Sequence, residues 1–441
     1  MPTEKKSAAR RVSFVSLGCF KNTVDSEVLA GMLKERGMEL VSEYEDPDWL
    51  VVNTCGFIRD AKEESIHEIL AALERKEKGE IGHLAVLGCL IQRYRDDLAR
   101  TFAGADVLWG VNDLPALADA IAAGRPAAYP DRELFLYDDR HPRLSFTTAN
   151  SSFIKISEGC SMGCSFCAIP AIRGPFRSRT IPSIVREAEA LKRRGVEELN
   201  LVSQNSTWFG RERGGPSQLP ALLKELAALG FPWLRVLYLM PEEVTPEILD
   251  GFAQPTLLPY FDLPFQHVSP RVLKGMNRGG SHEQDLRLVR DIRRRFPGAV
   301  LRSTFIVGFP GESEDDFRRL LDFAAEAALE RIGVFAFSPE EGTPSFALPG
   351  RVAPGVIEER KERLLDVSDR NLRRFSKSLK GRTLDFLPLG PWTHDMTIGR
   401  VWAQAPEVDG HCRVKGKFSE GGMFPVRISG VEQEMLLGEK A

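Results

Sequence analysis

Three cysteines, Cys160, Cys164 and Cys167, stand at C-x3-C-x2-C spacing in Glu158-Gly159-Cys160-Ser161-Met162-Gly163-Cys164-Ser165-Phe166-Cys167. The stretch follows a short apolar strand-like run over 153–156. Thiolates this close, in a chain with few other cysteines, commonly share a metal. Structural zinc needs four ligands in a closed tetrahedron. No fourth cysteine lies in this loop, and neither His141 nor His267 stands at finger spacing from it. Iron–sulfur clusters are held by cysteine thiolates, and three of them on a four-iron cube leave one iron open. The alternatives are a zinc knuckle closed by a distant histidine, and three thiols that bind nothing.

A second trio is spread along the first part of the chain. Val12-Ser13-Phe14-Val15-Ser16-Leu17-Gly18 runs into Cys19, Trp49-Leu50-Val51-Val52-Asn53-Thr54 into Cys55, and Leu84-Ala85-Val86-Leu87-Gly88 into Cys89. Helical patterns over 25–36 and 62–76 lie between these runs, and another follows at 114–123. Strands alternating with helices predict a parallel, doubly wound sheet. All strands of such a sheet point the same way, so the three cysteines fall on the carboxyl edge, where ligands bind. This predicts a second three-thiolate cluster, with Gly18, Gly56 and Gly88 letting backbone approach it closely. The alternative treats each cysteine as a small buried residue at a strand end.

Residues 124–150 are rich in Pro, Asp and Arg and read as a linker. Six strand-like runs follow, at 153–156, 199–203, 234–239, 260–263, 300–307 and 332–337. They alternate with helical runs at 184–194, 219–229, 246–252, 283–295 and 314–329. This pattern predicts a partial (β/α)6 barrel, open on one side, with its site at the carboxyl ends of the strands. Ser203-Gln204-Asn205, Pro264-Phe265-Gln266-His267 and the run from Arg302 and Ser303 to Gly308 and Glu312 lie at or near such ends. Arg302 suits a bidentate carboxylate contact. Gln204 and Asn205 equally suit a turn, His267 a packed core position, and Gly308-Phe309-Pro310-Gly311 a tight turn. The basic stretch Arg173-Gly174-Pro175-Phe176-Arg177-Ser178-Arg179 reads either as a solvated loop or as positive charge that eases adding an electron to a nearby anionic cluster.

A charged amphipathic helix over 357–376 leads out of the barrel. Short β-like runs at 383–387, 396–401, 412–414 and 424–429 then predict a small all-β barrel. The domains expected are therefore 11–130, 148–370 and 374–441. From Lys380 onward eight basic side chains balance eight acidic ones. An RNA-binding module should carry a basic excess, so neutrality favours a protein surface as target. The lone Cys412 reads as a core residue of this barrel.

Across 441 residues, 59 basic side chains face 62 acidic ones, which argues against a large basic groove for nucleic acid. No apolar run reaches membrane-span length, and residues 1–11 lack the apolar segment of a secretory signal. Seven cysteines are too few and too patterned for a disulfide scaffold, so a reducing, cytoplasmic setting is expected. No coiled-coil repeat points beyond a monomer.

The Cys160–Cys164–Cys167 spacing, with Phe166 just before the third cysteine, resembles the radical S-adenosylmethionine enzymes. Ser16-Leu17-Gly18-Cys19-Phe20-Lys21-Asn22, Val24-Asp25-Ser26-Glu27, Asn53-Thr54-Cys55-Gly56-Phe57-Ile58 and Ala61-Lys62-Glu63-Glu64-Ser65 resemble the methylthiotransferase family, with Phe20 where that family commonly has proline. Gly56-Phe57-Ile58 is similar to its ribosomal-protein branch rather than its transfer-RNA branch. Gly399-Arg400-Val401-Trp402-Ala403-Gln404-Ala405-Pro406-Glu407-Val408-Asp409-Gly410 resembles the TRAM domain that ends such chains. The resemblance implies two 4Fe-4S clusters, one on Cys160, Cys164 and Cys167 that binds and cleaves S-adenosylmethionine to a deoxyadenosyl radical, the other on Cys19, Cys55 and Cys89 that presents sulfur. It implies S-adenosylmethionine contacts near Phe166, Gln204, Arg302, Ser303 and Gly308. The implied substrate is an aspartate β-carbon in the twelfth protein of the small ribosomal subunit, with a sulfur donor and a reducing electron donor as further partners. A transfer-RNA methylthiotransferase and a non-enzymatic iron–sulfur RNA- or ribosome-binding factor are the other readings.

Overall fold

A parallel strand covered on both faces reads as a continuous apolar run, and Trp49–Thr54 is such a strand, with all six residues buried. The computed structural model describes residues 10–125, 127–128, 134–146, 150–419, 421–432 and 435–441. It divides into two compact units. One comprises Met1–Phe146, Glu158–Ser161 and Cys167–Arg179; the other comprises Thr147–Ser157, Met162–Phe166 and Thr180–Ala441.

The first unit runs β1 (Arg11–Ser16), α1 (Phe20–Glu35), β2 (Glu39–Leu40), β3 (Trp49–Thr54), α2 (Arg59–Glu77), β4 (His83–Gly88), α3 (Cys89–Thr101), β5 (Val107–Trp109), α4 (Leu114–Ala123) and β6 (Ala127–Ala128). Its strands form one sheet in the order β2-β1-β3-β4-β5-β6, parallel throughout. The winding reverses between β1 and β3, which makes the crevice at their carboxyl ends the expected ligand position. Strands β2, β5 and β6 escaped the sequence reading because two or three residues are too short to show a period.

Helix α1 starts at Phe20, five residues before its apolar pattern becomes legible. It is buried on almost every face, polar Lys21, Asn22, Asp25, Ser26 and Glu27 included. A helix covered all round loses the one-sided pattern by which helices are read. Part of its cover is the segment expected to be a linker. Gly31 lies so close to that segment that a Cβ there would come within 2.4 Å of Pro142 backbone. Glu27, fully buried, accepts from Arg143 Nε at 2.7 Å and from Phe146 N–H at 2.7 Å. The linker reading is thus corrected for the described residues 134–146. This stretch is a strap that pairs Arg143 with Glu27 of α1, pairs its own Asp138 with Arg140 and His141, and buries Tyr137.

The chain continues with β7 (Ser151–Lys155), β8 (Ser157–Glu158), α5 (Ile169–Arg173), β9 (Arg177–Ser178), α6 (Ile181–Arg193), β10 (Glu198–Val202), α7 (Leu219–Ala228), β11 (Trp233–Val236), α8 (Pro246–Gly251), β12 (Tyr260–Asp262), α9 (Pro270–Gly275), α10 (His282–Arg295), β13 (Val300–Val307), α11 (Glu314–Ala327), β14 (Arg331–Ala336) and α12 (Pro354–Ser378). In the second unit β7, β10 and β11 pair in parallel, as do β12, β13 and β14. Leu239 N–H to Asp262 O at 2.9 Å and Leu258 N–H to Leu234 O at 2.8 Å carry the sheet from β11 to β12. Strands β7 and β14 each pair on one side only, among the described residues. The result is the open six-stranded barrel expected from the alternation. Buried Leu, Ile, Val and Phe from these strands and from α6, α7, α10 and α11 form one core.

Five strands, β15 (Thr383–Thr393), β16 (Met396–Val401), β17 (Cys412–Lys415), β18 (Phe424–Glu432) and β19 (Met435–Lys440), close a barrel in the order β15-β16-β17-β19-β18. Cys412 lies in its core beside Phe386, Val414 and Ile428, all buried, and burial pushes its thiol up to about 12. The β16 end and the loop after it are bonded to the amino ends of the central strands. Arg400 donates to Glu198 at 3.0 Å and Tyr260 Oη donates to Asp409 at 2.5 Å. Arg235 Nη2 donates to Trp402 O at 2.9 Å.

Candidate metal centres

Each upstream cysteine sits where a strand hands over to a helix. Cys19 is the N-cap of α1, Cys55 directly follows β3, and Cys89 is the first residue of α3, directly after β4. Cys55 and Cys89 are buried and Cys19 is partly so. The three strand ends are knitted together by side chains. Asn22 Nδ2 donates to Leu17 O and Thr54 O, both at 3.0 Å. Asn53 Nδ2 donates to Asn22 O at 3.0 Å and Ser26 Oγ at 2.9 Å. Ser65 on α2 accepts from Cys55 N–H at 2.9 Å and donates back to Cys55 O at 3.0 Å. Asparagine and serine in these positions satisfy strand-end backbone groups that would otherwise be buried unpaired.

Two of the glycines are required by the packing of the cysteine turns themselves. A Cβ on Gly18, whose φ is +89°, would lie 2.7 Å from Cys55 Cβ and 3.0 Å from its Sγ. On Gly56 it would lie 2.7 Å from Leu90 N and 2.8 Å from Cys89 C. These residues let the three cysteine turns close on one another. Gly56→Val should therefore halve the iron bound after anaerobic reconstitution, whereas Gly355→Ala, with open space around its Cα, should keep all of it. Iron assay on the two purified variants reads this directly, and full iron in Gly56→Val would refute the cradle.

Proximity also shows in the electrostatics. Burial, then Cys89 and Cys19, pushes the Cys55 thiol up to about 12. Burial likewise raises Cys89, opposed by the positive charge of Arg173. Three thiolates in a dry site repel one another, and they are tolerated only against the positive charge of metal. Among the described residues no three His, Cys, Asp or Glu side chains close around a position for one metal ion, as zinc at about 2.3 Å from each sulfur would require. An all-thiolate donor set in a dry site suits an iron–sulfur cluster.

Of the downstream trio, Cys160 and Cys167 lie in the first unit and Cys164 in the second. Cys160 N–H donates to Gly174 O at 3.1 Å, and Ser161 Oγ accepts from Phe176 N–H at 3.1 Å. Gly159, φ +76°, leaves no room for a side chain, since a Cβ would meet Pro175 O at 2.2 Å. In the second unit Ser165 Oγ donates to Gly275 O at 2.7 Å, and Asn277 Nδ2 donates to Gly163 O at 2.8 Å. Arg278 is buried, grips both Glu242 oxygens at 2.7 and 2.9 Å, and donates to Pro264 O at 3.1 Å. Phe166 packs beside Met276, Phe309 and Phe337.

The other candidates fall as follows. Gln204 follows β10 and is partly exposed, while Asn205 caps the turn after it by accepting from Trp208 N–H at 3.2 Å. Ser303 Oγ accepts from Phe265 N–H at 3.3 Å. Gly308, φ +79°, donates its N–H to Glu312 at 2.9 Å. Burial pushes the Glu312 carboxyl up to about 7, against the pull of Arg360. His267 is fully buried, accepts from Ser269 N–H at 3.0 Å, and is pushed down to about 3 chiefly by burial. That is the packed, neutral histidine of the blander reading. Arg302 sits at the third residue of β13 and donates to Asp262 at 2.8 Å, a carboxylate of the protein itself. The basic stretch is no solvated loop, since Arg173 and Arg179 are each 2% exposed. Sequence reasoning missed Asn22, Asp25 and Arg173 as members of the upstream site. Their polar types signal exposure, and only the fold covers them.

The sequence matches three family models: the uncharacterized protein family UPF0004 over residues 11–110, the radical SAM superfamily over 154–324, and the TRAM domain over 381–440. Among solved structures, the fold is similar to the radical S-adenosylmethionine methyltransferase TsrM from Kitasatospora setae, at TM-score 0.56 and 18% identity, covering 76% of this chain and 75% of that one. It is also similar to the cobalamin-dependent S-adenosylmethionine radical enzyme OxsB, at TM-score 0.51 and 13% identity, covering 81% of this chain and 56% of that one. Among named relatives, the ribosomal protein uS12 methylthiotransferase RimO of Syntrophotalea carbinolica is 39% identical, covering 98% of this chain and 96% of its own length. The protein of the same name from Pelotomaculum thermopropionicum is 41% identical, covering 97% and 99%. Identity at this level along essentially the whole of both chains shows the family, and this chain belongs to the ribosomal protein uS12 methylthiotransferases.

Proposed function

We propose that the protein transfers a methylthio group to an aspartate β-carbon of ribosomal protein uS12, using S-adenosylmethionine and two 4Fe-4S clusters. The observation that carries this reading is the gathering of Cys19, Cys55 and Cys89 at the carboxyl ends of three neighbouring strands, β1, β3 and β4, of one sheet, in a chain that separately carries the Cys160–Cys164–Cys167 spacing. When bound, the clusters and S-adenosylmethionine supply the one-electron chemistry, the sulfur and the methyl group, none of which a side-chain acid or base provides.

The chain's own residues hold and shield. Cys19, Cys55 and Cys89 are the proposed ligands of one cluster, and Cys160, Cys164 and Cys167 of the other. Phe166, packed against Met276 and Phe309, fixes the approach to the third of these cysteines. Gln204, Ser303 and Gly308 are proposed S-adenosylmethionine contacts. Arg302, held in place by Asp262, is a further proposed contact. A sulfur donor and a low-potential electron donor are required partners. A ribosomal-protein substrate puts the proposed reaction in the cytoplasm; among the described residues no helix is long and apolar enough to cross a membrane.

The charge balance of the final barrel, eight basic against eight acidic side chains, favours a protein over RNA as substrate, because phosphate binding needs a basic excess. The test is anaerobic. The reconstituted protein, with dithionite and S-adenosylmethionine, is offered purified uS12 and unmodified transfer RNA together, and mass spectrometry reads both. A methylthio gain on one aspartate-containing uS12 peptide is expected. A gain on the RNA alone would overturn the assigned substrate.

A further inference from the structure

Arg173 belongs by sequence to the segment after Cys167, yet its side chain is committed to the upstream cysteines. The last residue of α5, it is 2% exposed. Its Nη1 donates to Asp25 Oδ2 at 3.0 Å and to Glu158 Oε2 at 2.9 Å. Its Nη2 donates to Asn22 Oδ1 at 2.6 Å. The same Asn22 Oδ1 accepts from Cys89 Sγ at 3.8 Å, so one amide oxygen joins the guanidinium to the thiol. The helix that carries it is anchored at the same place, since Ala168 and Ile172 pack against Cys89.

Two buried carboxylates hold this charge through Nη1, whereas Nη2 faces Asn22 and, across that one amide oxygen, Cys89. Charges in a water-poor site are screened far less than at a surface, so a guanidinium one amide away from a cysteine acts on whatever that cysteine holds.

From this geometry we propose that Arg173 is a positioning residue of the cluster on Cys19, Cys55 and Cys89, which orients Cys89 and stabilises that cluster's more reduced state. The proposal rests on the assignment of a cluster to those three cysteines. Hydrogen bonds to cluster sulfurs and nearby positive charge both favour an added electron, and they are a main means by which proteins set cluster potentials. Within the stretch 173–179, Arg173 thus serves the upstream site.

The test isolates that cluster in the full-length chain by replacing Cys160, Cys164 and Cys167 together with Ala. Iron, the visible spectrum and an EPR-monitored redox titration are then compared for Arg173 and its variants. Arg173→Met should lower the reduced-to-oxidised ratio at fixed potential at least tenfold, a shift of about 59 mV for one electron. Arg173→Lys, which keeps the charge, should shift far less. If Arg173→Met strands Asp25 and fails to fold, Arg173→Gln, which removes the charge but keeps an amide donor, takes its place, and its midpoint should fall likewise. An unchanged midpoint in an iron-loaded variant, or an equal shift in Arg173→Lys, overturns the role of the charge. Absence of iron from the triple-Ala parent overturns the cluster assignment itself, before Arg173 is in question.

Discussion

Replacing Cys19, Cys55 or Cys89 with Ala should abolish methylthio transfer to uS12 while release of deoxyadenosine continues. Iron should fall by about four of about eight atoms per chain, one cubane's worth. Product should drop at least on the order of 100-fold, since losing even an outer partner of a metal costs 10–100-fold. The effect is large because no other thiol is at hand, as Cys412 lies in the core of the C-terminal barrel. It is selective because the two cysteine sets are separate in sequence and are carried by different turns. Chromatography of the nucleoside product, beside mass spectrometry of the peptide, reads both halves from one reaction. Deoxyadenosine lost in parallel with product, in a variant whose downstream cluster is intact, would sink the division of labour.

The second large effect lies far from the cysteines. Glu198 is fully buried at the start of β10. It accepts from Arg400 at 3.0 Å, Arg235 at 3.2 Å and Ser151 Oγ at 2.7 Å. Burial opposes its ionisation, but Arg400 and then Arg235 outweigh it and hold the carboxyl at about 2. A folded value below the unfolded one means stability that is complete above about pH 4.3 and is lost as pH falls towards 2. The displacement corresponds to about 3 kcal/mol. Glu198→Ala leaves two buried guanidiniums facing each other, and unfolding by denaturant near pH 7 should show a loss of about 3–5 kcal/mol. Glu198→Gln should remove this part of the acid dependence. The barrel end at Arg400 should then become open to limited proteolysis. An alanine variant within about 1 kcal/mol of the parent would show that the network is dispensable, since breaking a buried pair should cost more.

Element types were legible wherever the pattern was long. The strands at 300–307 and 396–401 and the helix at 114–123 lie where the period and the breakers put them. Two kinds of residue were not legible. Short edge strands such as Glu39–Leu40 carry no period. Buried polar residues read as surface, so Lys21 and Asn22 hid the first turn of α1, and 134–146 passed for a linker. In each case the missing information was a partner distant in the chain: Arg173 for Asn22, 151 positions away, and Glu27 for Arg143, 116 positions away.

The sequence by itself determined which residues are thiols, their strand-end positions and the chemistry open to them, because spacing and alternation are local properties of the chain. Only the tertiary structure decided where the charges go. It turned Arg173 to the upstream cysteines, Arg302 to Asp262 and Arg400 to Glu198, because a buried charge must find its counter-charge wherever the fold brings one within hydrogen-bond reach.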